Sequence, residues 1–142
     1  MKLERTVTVK KPLEKVFAYL SDFTTTTEWD PGTVKTIRAS GDGGFGTEYL
    51  NTSTFAGRQT QLTYVVQELL PNKRISLRGE NKTVIAHDTI SVRQVGSQTE
   101  VTYTADFTFK GAAKLIAPLM KPAFTRLGNQ AEAGLTSALA RL

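Results

Sequence analysis

The chain has 142 residues, 39% of them hydrophobic, which is one domain's worth of sequence, able to bury a core and too polar for a membrane protein. It has no cysteine, which excludes disulfides, cysteine-based zinc sites and thiol catalysis. Its net charge of +5 comes from Lys and Arg spread along the chain, not from the clustered face that grips nucleic acid.

At the N-terminus, MKLERTVTVKK lacks the apolar region of a signal peptide, and no later run approaches the ~20 apolar residues of a spanning helix. A cytoplasmic protein without stable membrane insertion is expected. LERTVTV (3–9) alternates and is rich in β-formers, so it reads as a strand. Lys11-Pro12-Leu13-Glu14 then starts a helix, with proline at the first helical position and Val16, Phe17 and Leu20 as the apolar stripe. Ser21-Asp22 interrupts it. Thr25-x-x-Glu28 fits a capping box for a second short helix that carries Trp29, the only tryptophan. Asp30-Pro31-Gly32-Thr33 suits a type II turn.

From Thr33 to about Lys110 the pattern is strand throughout. VKTIRA, TEYLNTSTF, RQTQLTYVVQEL, RISLRG, TVIAHDTISVRQV and TEVTYTADFTFK are separated by short breaks with good turn chemistry, which makes an antiparallel meander that the first strand can extend to seven. The first break, GDGGFG (41–46), matches G-x-G-x-x-G. The match fails on context, because a dinucleotide loop runs from strand into helix and here two strands flank it. It reads as a hairpin loop. In the last 30 residues Ile116, Leu119, Met120, Ala123, Phe124, Leu127, Ala131, Leu135, Ala138 and Leu142 fall on one face of a long amphipathic helix. Pro118 and Pro122 should set its first part apart.

The order β-α-α-β6-α, with VTVKKPLEKVFAYLSD (7–22), Glu28-Trp29-Asp30-Pro31, ELLPNKR (68–74) and TEVTYTADFTFKG (99–111), resembles the START-like superfamily, in its polyketide cyclase/dehydrase-like branch. The resemblance covers essentially the whole chain, 1–142, as one domain. It implies an α+β helix-grip fold: a curved seven-stranded antiparallel sheet wrapped around a long C-terminal helix, with two short helices after strand 1. It also implies a cavity between sheet and helix for a hydrophobic or amphipathic molecule (a lipid, quinone or polyketide-like compound). Alternatives within the superfamily are a cyclase/dehydratase that works by shaping a reactive chain, and a co-chaperone-like interaction module. In either case these motifs mark fold, not catalysis.

Residue parity supplies the cavity candidates. Val101, Tyr103, Ala105, Phe107 and Phe109 alternate with polar neighbours, as do Leu62, Tyr64 and Val66, and Ile75 and Leu77. The expected lining is Tyr49, Phe55, Tyr64, Leu77, Asp88, Tyr103 and Phe107 from the sheet. Met120, Phe124 and Leu127 join them from the helix. Trp29 either gates the mouth or caps the core, and Asn51 and Ser53 can face either way. In the resembled fold the loop of Gly43, Gly44 and Phe45 would sit at the cavity mouth, with Phe45 as a movable lid.

Asp88 shares parity with Ile90 and Val92, which points it inward unless a bulge lets it reach solvent. A buried carboxylate must be paired or protonated, and Arg5 is one available partner. If a reaction is catalysed, Asp88 with Tyr103 or Tyr64 is the expected acid–base group. His87 has the opposite parity, and no G-x-S-x-G elbow accompanies it. One histidine and no cysteine leave no usual zinc or copper site. Neither metal nor cofactor is expected, and the chain is expected to be a monomer or weak homodimer.

Overall fold

The computed structural model describes residues 1–142. β1 (Lys2–Val9) is followed by α1 (Leu13–Ser21), a 3-10 turn (Phe23–Thr25) and α2 (Thr26–Trp29). Six strands follow: β2 (Thr33–Ser40), β3 (Glu48–Phe55), β4 (Arg58–Leu70), β5 (Arg74–Glu80), β6 (Val84–Val95) and β7 (Gln98–Phe109). They pair antiparallel in the order β1-β7-β6-β5-β4-β3-β2, a meander with the first strand added to the last. The C-terminal segment comprises α3 (Ala113–Ile116), a 3-10 turn (Ala117–Met120) and α4 (Lys121–Ala140).

Alternation along the strands puts one apolar face toward α4, which packs against β1 at one sheet edge and against α2 near the other. The sheet therefore curls around the helix, as the helix-grip fold requires, and both apolar surfaces are buried. Phe124, Ala131, Leu135, Ala138 and Leu139 are the buried face of α4. No helix is long and apolar enough to cross a membrane.

Three local expectations are corrected. Pro12 is the residue before α1 and not its first turn. The capping box does not form: Thr25 Oγ1 donates back to the Tyr19 and Asp22 carbonyls, while Glu28 accepts from the Tyr19 hydroxyl. Asp22 does the capping, accepting from the backbone N–H and hydroxyl of Thr24. The turn at Asp30–Thr33 closes with Thr33 N–H on Asp30 O at 2.9 Å, but Gly32 has no positive φ, so it is not type II. The Asp30 side chain holds it by accepting from Gly32 N–H at 3.0 Å.

The long C-terminal helix forms, and its first part is set apart as its prolines predict. Pro118 and Pro122 each open a new helical segment, where the missing donor costs nothing. Ile116 and Leu119, which periodicity put on the apolar face, lie in the short segments ahead of α4 and stand 52% and 79% exposed.

Candidate functional site

A pocket of about 520 Å³ lies between the sheet and the C-terminal segment. Its rim is built from the β3–β4 turn (Ala56, Arg58), the β5–β6 turn (Asn81, Thr83) and the start of the C-terminal segment (Ala113, Ile116). Toward this rim the wall is aromatic. Phe124 of α4 is the hub, with ring centroids 4.8 Å from both Phe55 and Phe107 and 5.8 Å from Phe109. Met120 and Leu127 complete the helix side.

Deeper in, the wall turns polar on one strip. Asn51 and Ser53 both face inward: Ser53 donates to Asn51 at 2.7 Å, Asn51 donates to Thr36 Oγ1 at 2.8 Å, and Thr36 and Thr26 share a 2.7 Å bond. Beyond the strip stand Asp88, Tyr103, Tyr64 and Trp29. The ladder runs unbroken through Asp88, which pairs with Leu77 on one side and Ala105 on the other, so no bulge turns it out and it is only 4% exposed. Its partner is not Arg5. That guanidinium reaches over to α4, donating to Asn129 Oδ1 at 3.0 Å and lying beside Glu132. Asp88 Oδ2 instead accepts from the Tyr103 hydroxyl at 3.1 Å, and the Tyr103 ring meets the edge of Trp29 at 5.3 Å.

Two buried polar atoms in this group have no partner in the protein, Asp88 Oδ1 and Trp29 Nε1. Burial pushes the Asp88 carboxyl up from 3.8 to about 7; the Tyr103 hydrogen bond opposes the rise, and nearby Asp30 adds to it. Burial likewise raises Asp30, against the bonds from Thr33 and Gly32. The Tyr103 and Tyr64 hydroxyls are held well above the ordinary tyrosine range, first by burial and then by the Asp88 charge. Tyr64 owes its position to Gly79: a Cβ there would come within 2.6 Å of the tyrosine ring.

The structure thus brings Trp29, Phe55, Tyr64, Asp88, Tyr103, Phe107, Met120, Phe124 and Leu127 to one cavity. Tyr49 and Leu77 face inward but lie in the packed core and do not line it. Phe23 stands in front of Tyr49, its ring 5.8 Å from Tyr49 and 5.0 Å from Tyr64. Gly43, Gly44 and Phe45 are at the wrong end. Successive hairpins alternate between the two ends of an antiparallel sheet, which puts the β2–β3 loop opposite the β3–β4 and β5–β6 turns of the rim. Phe45 is 80% exposed there, and the glycines serve the turn: Gly41 has φ +91° and lies so close to Thr47 that a Cβ would be 2.6 Å from its hydroxyl. Residues not anticipated are Phe23 and Asp30, whereas Phe109 lines the cavity as its strand parity implied; for Phe23, an apolar residue between two helix signals was the available clue.

This architecture, a curved sheet gripping a C-terminal helix over an interior pocket, is that of a START-like domain. The chain matches the family described as polyketide cyclase/dehydrase and lipid transport over residues 1–142, and it belongs to that family. Among solved structures it is similar to the Zhui aromatase/cyclase from Streptomyces sp. R1128, with a TM-score of 0.84 and 18% identity over 99% of this chain and 94% of that one. A START superfamily protein from Mycobacterium smegmatis gives 0.81 and 14%, over 99% and 97%. TTHA0849 from Thermus thermophilus gives 0.80 and 13%, over 99% and 95%. At these identities the likeness is one of fold. No curated protein matches the sequence.

Proposed function

We propose that the chain takes up a hydrophobic or amphipathic small molecule, of lipid, quinone or polyketide-like kind, in the pocket between sheet and α4. The carrying observation is the pair of unpartnered atoms, Asp88 Oδ1 and Trp29 Nε1, beyond the polar strip of an otherwise largely apolar cavity. Buried polar groups almost always have partners, and a ligand's polar end is one that such a pocket can admit. Phe55, Phe107, Phe109 and Phe124 would then hold the apolar part, and Tyr64 and Tyr103 would flank the polar end.

A second reading, a cyclase or dehydratase, is favoured by one observation. A carboxyl poised near pH 7 beside a tyrosine can give and take protons at neutral pH. An interaction module of the co-chaperone kind gains no support from an interior left open.

Native mass spectrometry of freshly purified protein is expected to show a bound mass that organic extraction removes. Titration with fatty alcohols, quinones or flavonoid-like compounds is expected to shift Trp29 fluorescence. Protein that is always ligand-free, with Trp29 silent to every compound, would overturn uptake.

A further inference from the structure

We infer that the polar end of the molecule held in this pocket is a hydrogen-bond donor without negative charge, a hydroxyl or a protonated amine, and not a carboxylate or phosphate. This rests on the uptake proposed above. The charged residues lining the cavity are Asp30, Asp88 and Arg58, and Arg58 belongs to the rim. Asp30 has both oxygens occupied, by Gly32 N–H and by the Thr33 hydroxyl. Asp88 has one oxygen occupied and one free. Around it β7 offers Tyr103, β4 offers Tyr64, β5 offers only Leu77 and Gly79, and α4 offers Phe124 and Leu127. Arg5, opposite Tyr103 in register, is committed to Asn129 and Glu132. No cation is available to balance a second negative charge. With Asp88 ionised, as at the pH of the test below, an anionic head would meet two carboxyls at low dielectric, whereas a hydroxyl donates to Asp88 Oδ1 and can accept from Trp29 Nε1.

The test uses one chain length with three ends. Dodecanol, dodecylamine and dodecanoate, each below its micelle-forming concentration, are titrated at about pH 8 with Trp29 fluorescence as the readout. Dodecanol and dodecylamine are expected to bind, and dodecanoate to bind at least about tenfold more weakly. In Asp88→Asn, which removes the charge and keeps the shape, the dodecanoate deficit is expected to shrink severalfold. Dodecanoate binding as tightly as dodecanol would overturn the head-group assignment and leave uptake standing. Silence from all three probes, in protein that also carries no extractable molecule, would remove uptake and the assignment together.

Independently of what the pocket holds, the geometry points to the rim as a docking surface for an anionic lipid bilayer. Leu115 and Leu119 stand 81% and 79% exposed on two successive single helical turns, with Ile116 between them. Exposure that high describes a protruding tip, which suits insertion among lipids better than it suits the flat face of a folded partner. From Phe107 to Ala131 the chain carries Lys110, Lys114, Lys121 and Arg126 and no acidic residue. Lys82 and Arg58 come from the two turns of the same rim, and the acid there, Glu80, is held by Arg78 and Lys110. An apolar tip ringed by cations, of which only Lys110 is paired with an acid, is complementary to anionic headgroups over acyl chains.

Sedimentation with phosphatidylcholine vesicles is expected to carry down the full chain only when phosphatidylglycerol is included, and less as salt rises. Leu115→Glu with Leu119→Glu is expected to weaken that binding at least about tenfold. Because both side chains are exposed, the melting temperature should stay within about 2 °C. Equal binding by the double variant, or no binding to anionic vesicles, would overturn the docking surface. A parent dimer that the double variant splits would give the tip to a second copy, and would overturn it too.

Discussion

At about pH 8, Asp88→Asn is expected to melt roughly 10 °C above the parent chain, and the difference is expected to vanish by about pH 4. The sign follows from where the proton sits. In the folded chain the carboxyl keeps its proton up to about pH 7, whereas in the unfolded chain it loses it near 3.8. Between those values the folded state binds more protons, so rising pH favours unfolding. Above about 7 both states are ionised and the loss is constant. A shift of that size is worth at most about 4 kcal/mol, and water reaching Oδ1 through the pocket lowers it toward about 2. Asparagine keeps an acceptor for the Tyr103 hydroxyl and has no charge to bury, so the variant escapes the loss. A variant that melts at or below the parent at pH 8 would show that Asp88 is not held protonated by burial. The same variant separates the two functional readings: a carrier still binds dodecanol, and a cyclase or dehydratase that moves a proton through Asp88 loses turnover with binding retained.

What could be read from the sequence depended on whether the signal was local. Strand alternation fixes which face a side chain takes, and it placed Asp88, Tyr103, Tyr64 and Phe107 inward correctly. It does not fix depth along the curved sheet. Tyr49 and Leu77 share the inward face with the lining residues, yet they sit where other side chains fill the space. Nor does alternation say which end of the sheet a hairpin occupies. Counting hairpins does, since the ends alternate, and that count removes Phe45 from the rim. Helical periodicity failed at Ile116 and Leu119 for a different reason. It assumes one continuous helix, whereas two prolines four residues apart leave α3 and a 3-10 turn as separate single-turn segments ahead of α4. Asp88's partner was a matter of long-range geometry. Arg5 lies on the strand next to β7 and opposite Tyr103 in register, but α4 supplies it with closer company in Asn129 and Glu132.

The close approach of α4 to α2 gives the other large effect. Gly134→Ala is expected to destabilise the chain by about 3 kcal/mol, near 10 °C in melting temperature, although alanine is the better helix former by up to about 1 kcal/mol. A Cβ at Gly134 would collide with the backbone carbonyl oxygen of Trp29 and come within 2.8 Å of its carbonyl carbon. A backbone group at a helix end cannot rotate aside, so α4 and α2 must move apart, and Trp29 moves with them. Gly128→Ala, in the same helix, is the matched control. Its Cβ would come within 2.7 Å of an Arg5 guanidinium nitrogen, the far end of a flexible side chain that can swing away. That variant is expected to stay within about 1 kcal/mol of the parent, its helix-propensity gain offsetting a disturbed bond to Asn129. Trp29 emission should shift in the Gly134 variant and not in the Gly128 variant, because Trp29 belongs to the pocket wall and Arg5 does not. Equal losses in both variants would mean that the cost is general to helix glycines. An unshifted Trp29 would mean that α4 yields instead and leaves the pocket intact.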